Sequence, residues 1–517
     1  MTISPEFLEA VRTAYPRSSS ATLGAPVLGG ACAPEPVVTL AFGTLNRHGL
    51  VAGATGTGKT KTLQALTEKF SRAGIPVFVS DVKGDLSGLA APGVPNEKVV
   101  ARAADVGVTW APEPCLVELL SLSGARGAHV RATVSSFGPS LLAKVLGLNA
   151  TQTSVLTMVF KYADDHGLPL LDVSDLRTLL VFLGDARASD LAAYGNLSKA
   201  SLGVLLREVL ELDAQGGAAF FGEPEFDVDD LFYVDAAGRG LVSILSLSDV
   251  QTKPALFSTF MMWLLARLYE ELPEVGDLEK PKLVFFFDEA HLLFRDASDA
   301  FVAEVERVVR LVRSKGVGIF FVTQSPKDVP SSILGQLGNR IQHALRAFTP
   351  DDERAMKAAA RTFPKSPYYD VQAVLTSLGT GEALVTVLAE NGAPTMPVVC
   401  RVAPPTSRMG PLTDAEFAQV LGTEQVKHYA TALDRPSARE MLEARMRGNS
   451  DPAASDVPVA TSSPGPVPTA PPVPASTGPG LEDILNSPLA RSVATTVTRG
   501  LMGALIGKAP RRRSRRR

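Results

Sequence analysis

From Val37 onward the chain alternates unbroken apolar runs with stretches of helical periodicity. Val, Ile, Leu and Phe dominate the runs, which is typical of strands buried on both faces of a parallel sheet. The predicted strands are residues 37–42, 49–52, 76–80, 241–246, 282–287, 317–322, 340–348 and 382–387. The pattern therefore predicts an α/β fold with a mainly parallel sheet and helices on both of its faces.

Between residues 125 and 234 the apolar residues are spaced as on one face of a helix, and they form no strand-like runs. Leu202, Leu205 and Val209, for example, recur at intervals that place them on one helix face. We interpret this stretch as an all-α insertion into the sheet-forming core. The predicted division is 1–36 (lead-in, partly helical near Phe7), 37–124 and 235–410 (core), 125–234 (helical insertion), 411–450 (C-terminal helices), 451–480 (linker) and 481–517 (tail).

The C-terminal part has a different composition. Residues 451–480 contain nine prolines and no lysine or arginine, which is typical of a disordered, extended linker. Beyond it, Leu489, Val493 and Val497 recur every four residues as one apolar helix face. Six of the last seven residues are arginines. We expect an amphipathic helix with a basic tail that contacts nucleic acid, a protein partner or an anionic membrane surface.

Composition restricts the class of protein. The 517 residues are 45% apolar and 20% charged, as in an ordinary globular protein. No apolar run approaches the roughly 18 residues of a membrane span, and the N-terminal sequence lacks the basic and apolar regions of a signal peptide. Cys32, Cys115 and Cys400 are widely spaced, which argues against a disulfide framework or a zinc site. We therefore expect a cytoplasmic protein.

Charge is unevenly spread along the chain. The net charge is −3, and the six terminal arginines account for +6 of that balance, which leaves −9 for the remainder. An acidic body is not a general polyanion binder. Any contact with nucleic acid is therefore expected in a local channel or at the tail.

A phosphate-binding loop with the pattern G-x-x-x-x-G-K-[ST] lies between a predicted strand and a predicted helix. Its glycines let backbone N–H groups turn toward phosphate oxygens, and the following helix directs its positive dipole end at the same anion. We expect Lys59 to reach the β- and γ-phosphates of ATP and the Thr60 hydroxyl to bind Mg²⁺. The predicted nucleotide-binding residues are Gly53, Ala54, Thr55, Gly56, Thr57, Gly58, Lys59, Thr60 and Lys61.

Two acids follow the buried run 282–287. Asp288 comes at the carboxyl end of this strand, where open α/β sheets bind their ligands, and we expect it to hold Mg²⁺ through water. Glu289 is placed to polarise the attacking water as a general base. His291 follows in Asp-Glu-Ala-His, where contact with the γ-phosphate and a purely structural role are equally compatible with the sequence.

Further polar residues follow other strands. Gln324 ends the strand that we expect beside the strand of Asp288, and it is the candidate γ-phosphate sensor. Arg340 and Arg346, on the next segment, are candidates for stabilising transition-state charge in cis or in trans, and strand salt bridges are the alternative. Asp81 and Lys83 end a strand that we expect beside the phosphate loop, where they contact nucleotide or pair with each other.

These motifs, in this order, resemble the HerA/FtsK superfamily of P-loop ATPases, most closely a bacterial branch with a HerA-helicase-like domain. The likeness covers about residues 37–410 and includes the later segment Gly-Asn-Arg-Ile-Gln-His. The resemblance implies a RecA-like P-loop NTPase core and a hexameric ring that uses ATP and Mg²⁺ to move double-stranded DNA through a central pore. It also implies a nucleotide site between subunits that an arginine completes.

Three function classes remain open. The first is an ATP-hydrolysing motor on DNA, helicase-like or a translocase, with a nuclease or another protein as a possible partner. The second is an ATPase or nucleotide switch that acts on a protein in secretion or assembly, a class that the acidic body favours. The third is a scaffold that binds ATP without hydrolysing it, against which Glu289 argues. Salt-sensitive DNA binding that survives tail deletion would distinguish the motor.

Overall fold

The computed structural model describes residues 3–185, 194, 198–250, 253–276, 278–294, 299–347, 349–389 and 391–446. The segments 451–480 and 481–517, with the expected linker, amphipathic helix and arginine tail, lie outside the described residues. Our division of the chain into domains stays a prediction. Within the described ranges no helix has the length and apolar character needed to cross a membrane.

Thirteen strands of the described residues form one sheet. They are β1 (Ser20–Leu28), β2 (Ala31–Cys32), β3 (Val38–Ala41), β4 (Gly49–Ala52), β5 (Val77–Asp81), β6 (Val117–Ser121), β7 (Ala128–His129), β8 (Val242–Ser246), β9 (Leu283–Phe287), β10 (Val317–Thr323), β11 (Asn339–His343), β12 (Glu382–Thr386) and β13 (Val398–Val402). Their order in space is β2-β1-β13-β12-β11-β4-β10-β9-β5-β8-β6-β7, with β3 also paired to β1. The part from β11 to β7 is parallel and the part from β11 to β2 is antiparallel, so the expected mainly parallel α/β fold is confirmed.

Helices cover this sheet. They are α1 (Pro5–Ala14), α2 (Lys59–Arg72), α3 (Glu97–Asp105), α4 (Val134–Val145), α5 (Ala150–Asp165), α6 (Val173–Asp185), α7 (Lys199–Ala214), α8 (Gly217–Phe220), α9 (Pro254–Glu271), α10 (His291–Phe294), α11 (Asp299–Val312), α12 (Ser331–Leu334), α13 (Pro350–Ala360), α14 (Val371–Ser377), α15 (Asp414–Val420), α16 (Glu424–Ala430) and α17 (Ala438–Met446). Helices α4 to α8 occupy the stretch between β7 and β8 where the sequence predicts an all-α insertion.

Strand β9 shows why the central sheet is buried on both faces. Successive side chains of a strand point to opposite faces. Phe285 and Phe287 join a core cluster with the helices after β7 and with α9 and α11. Val284 and Phe286 join a second cluster with α1 and α2. Phe286 stacks on Phe70 of α2 at a centroid distance of 6.0 Å, so the acid strand and the helix that follows the phosphate loop pack directly together.

The N-terminal residues are more ordered than the expected lead-in. Strand β1 pairs with both β3 and β13, and α1 packs in the same core as α2. The buried hydroxyl of Tyr15 lies within hydrogen-bond distance of the carbonyl oxygens of Val385, at 2.9 Å, and Met396, at 2.7 Å. Gly24 and Pro26 interrupt the apolar pattern of β1, which is why periodicity alone did not predict this strand.

The predicted strand 340–348 is shorter in the structure, where β11 ends at His343. Beyond this residue the carbonyl of Ala344 accepts a hydrogen bond from the N–H of Ala54, at 2.8 Å. The chain after β11 therefore supports the phosphate loop instead of continuing the sheet ladder. Strands β2, β6, β7 and β13, like β1, were not predicted.

Candidate active site

The phosphate loop follows β4, and neighbouring strand ends anchor it. The N–H of Gly53 donates to the carbonyl of Thr323 at 3.2 Å. A Cβ at position 53 would lie 2.5 Å from Cβ of His343, and Gly58 has a φ of +115° beside the backbone of Gly381. Both positions therefore require glycine. The loop is held between the carboxyl ends of β10 and β11, as a phosphate cradle needs.

Lys59 and Thr60 start α2 at the mouth of this loop. The buried Lys59 ammonium donates to the loop carbonyl of Ala54 at 3.2 Å. Burial lowers the pKa of Lys59, while the charges of Glu289 and Asp288 oppose this shift. A phosphate oxygen would be a stronger, charged acceptor for the same ammonium. The contact of Lys59 with phosphate stays a prediction.

The remaining loop positions differ in accessibility. Thr55 and Gly56 are exposed, and Ala54, Gly58 and Thr60 are half-buried. Buried Thr57 donates its hydroxyl to the carbonyl of Ala54 at 2.7 Å. Lys61, on α2, places its ammonium 3.5 Å from Oε1 of Gln64. The exposed backbone of the loop faces solvent where a ligand can enter.

Asp288 lies at the end of β9, two strands from the phosphate loop because β10 lies between β4 and β9. Burial and the neighbouring charge of Glu289 raise the pKa of Asp288 to about 7. A divalent cation beside this carboxyl would favour its charged form. No group of three or more His, Cys, Asp or Glu side chains in the described ranges could hold a metal ion. The assignment of Thr60 and Asp288, with nucleotide phosphates, to a Mg²⁺ site stays a prediction.

Glu289 has a left-handed backbone with a φ of +49°, uncommon for a residue with a side chain. Its Oε1 accepts a hydrogen bond from the Lys83 ammonium at 2.6 Å, and its Oε2 lies 3.3 Å from Nδ1 of His291. Burial raises the pKa of Glu289, but Lys83, with smaller contributions from His291 and Lys59, leaves the pKa below its usual value. The expected general base is therefore held in an ion pair that our sequence analysis missed.

The Asp81–Asp85 loop differs from our expectation. Strand β5 pairs with β9 and β8, so it lies beside the acid strand and not beside the phosphate loop. Asp81 and Lys83 do not pair through their side chains. The Asp81 carboxylate instead accepts hydrogen bonds from the backbone N–H groups of Lys83, Gly84 and Leu86, at 3.2, 2.8 and 2.9 Å. Asp81 thus shapes the loop, and Lys83 reaches across to Glu289.

A cavity of about 680 Å³ opens in front of the phosphate loop. Ala54 and Thr55 line it together with His291, the exposed Gln324 at the end of β10, and the exposed Arg346. The expected neighbourhood of β10 and β9 is present in the sheet. Gln324 and Arg346 therefore share one cavity with the loop that we expect to hold the nucleotide.

Arg340 lies apart from this group. Its guanidinium donates to the carbonyl oxygens of Leu337 and Leu334, both at 3.3 Å, and to that of Thr362 at 3.5 Å. It lines a second cavity of about 480 Å³. This cavity also includes Arg47, which precedes β4, so it lies at the amino ends of the parallel strands. Within one chain, Arg340 lies at the amino ends of the parallel strands and the phosphate loop lies at their carboxyl ends.

His343 is a second residue that sequence reasoning missed. Its buried ring bridges β12 and α2, because Nδ1 lies 2.8 Å from the carbonyl of Glu382 and Nε2 lies 2.9 Å from the Thr62 hydroxyl. Burial lowers the pKa of His343 to about 4, so the neutral ring donates through Nδ1 and accepts through Nε2. The sequence places His343 inside the predicted strand 340–348, and nothing there marked it as a site residue.

A solved structure of the plasmid coupling protein TrwB, in complex with a non-hydrolysable GTP analogue, has a similar fold. The TM-score is 0.50 at 14% identity, and the match covers 79% of this chain and 96% of that chain. With a phosphate loop and an acid pair at the carboxyl ends of such strands, this protein has the RecA-type core of the P-loop NTPases. It belongs to the Helicase HerA-like C-terminal family, whose model matches residues 30–515.

Curated relatives match shorter segments. The DNA double-strand break repair helicase HerA of Sulfolobus acidocaldarius is 27% identical over 172 residues, 32% of this chain and 33% of that protein. HerA of Sulfurisphaera tokodaii is 29% identical over 156 residues, 29% of this chain and 30% of that protein. A probable helicase of Methanocaldococcus jannaschii is 31% identical over 119 residues, 23% of this chain and 22% of that protein. These matches span about a third or less of each relative.

The buried neutral ring of His343 predicts a pH-dependent stability. Its ordinary pKa is 6.5 and its folded pKa is about 4, so the unfolded chain takes up this proton first as the pH falls. The stabilisation is complete above pH 6.5 and is lost progressively toward pH 4. We expect His343→Gln to reduce the pH dependence of the unfolding free energy in this window, measured by urea denaturation. The exposed His428 provides the control, and His428→Gln should leave the pH dependence unchanged. An equal slope in His343→Gln and the parent would contradict the prediction.

Proposed function

We propose that this protein hydrolyses ATP with Mg²⁺ and that it is a ring-forming, HerA-like motor on double-stranded DNA. The observation that carries the proposal is the arrangement of Lys59, Asp288 and Glu289 around one phosphate loop at the carboxyl edge of the sheet. A lysine, a metal-binding acid and a second acid are the groups that phosphoryl transfer to water needs.

Each group has a distinct role in this proposal. Backbone N–H groups of residues 53–61 and the Lys59 ammonium hold the β- and γ-phosphates. Thr60 and Asp288 bind Mg²⁺, which neutralises charge on the phosphates. Glu289 accepts a proton from the water that attacks the γ-phosphorus, the bond to ADP breaks, and ADP keeps the bridging oxygen. Gln324 contacts the γ-phosphate or the water from the shared cavity.

The two arginines are proposed to act from different subunits. Arg346 lines the same cavity as the phosphate loop and acts in cis. Arg340 lies at the opposite edge of the sheet. In a head-to-tail ring, such as a hexamer, each subunit contacts its neighbour through two different faces. Arg340 therefore acts in trans, on the nucleotide of the adjacent subunit.

Double-stranded DNA is the proposed substrate. The family and the names of the HerA relatives, which are DNA double-strand break repair helicases, support this substrate. The acidic charge of the chain without its terminal arginines instead favours a protein substrate, so a protein-directed ATPase is the second candidate. We propose a cytoplasmic location, with a nuclease or another protein as a partner. The three free cysteines are consistent with a reducing compartment.

Two substitutions test the assigned chemistry. Lys59→Ala should abolish Mg²⁺-dependent ATP turnover, because the phosphates lose their cation. Glu289→Gln should bind ATP but slow turnover by about 100-fold or more, since a neutral amide cannot accept the proton of water. ATP binding by fluorescence and phosphate release separate the two effects. Turnover that is unchanged by Lys59→Ala would exclude the phosphate-loop assignment, and normal turnover in Glu289→Gln would remove Glu289 from its role.

Steady-state ATPase activity with and without double-stranded DNA tests the substrate. The measurement uses two salt concentrations and compares the full chain with a chain lacking residues 451–517. We expect stimulation by DNA that is weaker at high salt and that persists without the tail, because a channel and not the terminal arginines contacts the phosphates. Turnover indifferent to DNA in both forms would favour the protein-directed ATPase.

Mixing variants tests the arginine assignment. An Arg340→Ala subunit keeps its own phosphate loop intact but cannot supply the arginine to the nucleotide of its neighbour. A Lys59→Ala subunit supplies this arginine but has a defective phosphate loop. A mixture of the two inactive proteins should regain turnover if Arg340 acts in trans, since some interfaces then combine an intact loop with an intact arginine. Arg346→Ala mixed with Lys59→Ala should regain none. Equal recovery in both mixtures, or none in either, would contradict the assignment.

A further inference from the structure

The ion pair between Lys83 and Glu289 joins two elements that the phosphate loop does not include. Lys83 belongs to the loop after β5, and Glu289 follows β9. The two side chains meet at 2.6 Å, between Nζ and Oε1. The Glu289 side chain is 7% exposed and that of Lys83 is 51% exposed. The acid is therefore buried, and its partner can be reached from solvent.

The two carboxylate oxygens of Glu289 have different surroundings. The Lys83 ammonium occupies Oε1. Oε2 is buried near His291 and accepts no hydrogen bond from any residue in the described ranges. A general base needs a water within hydrogen-bond distance of a free lone pair. An attacking water must therefore compete with the Lys83 ammonium at Oε1 or enter the buried space beside Oε2.

The surrounding backbone is shaped to maintain this contact. The Asp81 carboxylate holds three N–H groups of its own loop, and Gly84 has a φ of +80°. The Glu289 backbone is in the left-handed region, which persists in a residue with a side chain only where its surroundings hold it. Two locally constrained segments thus present the ammonium and the carboxylate to each other.

We propose that Lys83 is a positioning residue that restrains Glu289 in a non-hydrolytic position, and that this ion pair must break before water is activated. The proposal rests on the proposed function, because it requires Glu289 to be the base. A movement of the 81–85 loop relative to β9 would break the pair without displacing Lys59. Restraint of the base is thereby separable from nucleotide binding.

Substitutions at Lys83 test the restraint in the full chain. Lys83→Met removes the ammonium, and we expect the basal kcat for ATP to rise by about threefold or more with KM unchanged. Lys83→Arg retains the charge and should stay near the parent value. Lys98→Met removes an exposed ammonium on α3 and is the matched control. A fall in kcat with Lys83→Met would mean that Lys83 assists catalysis, and an equal rise in Lys83→Arg would mean a loss of local structure; either result overturns the proposal.

Two further readouts separate the proposal from the proposed function. Added KCl screens a partly exposed ion pair, so the ratio of parent kcat to Lys83→Met kcat should rise with salt; a constant ratio overturns the restraint.

The urea midpoints of Lys83→Met, Glu289→Gln and the double variant should be non-additive, because the two side chains interact. Additive midpoints overturn the ion pair itself. If Lys59→Ala hydrolyses ATP as fast as the parent, the proposed function fails instead. The urea midpoints do not depend on ATP turnover, so they test the ion pair in either case.

Discussion

The parallel register of β4, β10 and β9 is the constraint on which the candidate site depends. Ala52 pairs with Thr323 at the end of β4 and β10, and Phe321 pairs with Phe287 at the end of β9. The three strands therefore finish at the same edge of the sheet, and the residues that follow each strand meet there. A one-residue slip of β9 would turn its acids to the other face. Buried phenylalanines on both faces of β9 pack into the two cores, so the packing that holds this strand in the sheet also positions the two acids at its end.

The parts of the site that follow from local sequence could be predicted. A phosphate loop is determined by its glycines and by the strand and helix on either side, and an acid after five apolar residues can only lie at a strand end. The eight predicted strands are present, and six of them belong to the parallel part of the sheet, where buried strands are nearly continuous apolar runs. Strand β1 was missed because Gly24 and Pro26 break that signal. Its position in the sheet comes from pairing with β13, far along the chain.

Contacts between distant segments could not be predicted, and these decide how the site behaves. Lys83 and Glu289 are 206 positions apart, and Thr62 and His343 are 281 apart. Nothing in the spacing of either pair indicates a contact, since it depends on which strands become neighbours. The position of β5 was wrong for the same reason. Once β5 lies beside β9 and not beside β4, Lys83 reaches the acid and not the phosphate loop.

Buried charges at the carboxyl ends of the strands make this site depend on its ligands. Burial lowers the pKa of Lys59 and raises that of Asp288, so the surroundings disfavour the charged form of both. Phosphate oxygens favour a charged Lys59, and a divalent cation favours a charged Asp288. A bound nucleotide with its cation would therefore supply the opposite charges that Lys59 and Asp288 lack. The Lys83–Glu289 pair is a separate contact, because Lys83 lies on the loop after β5 and not on the phosphate loop.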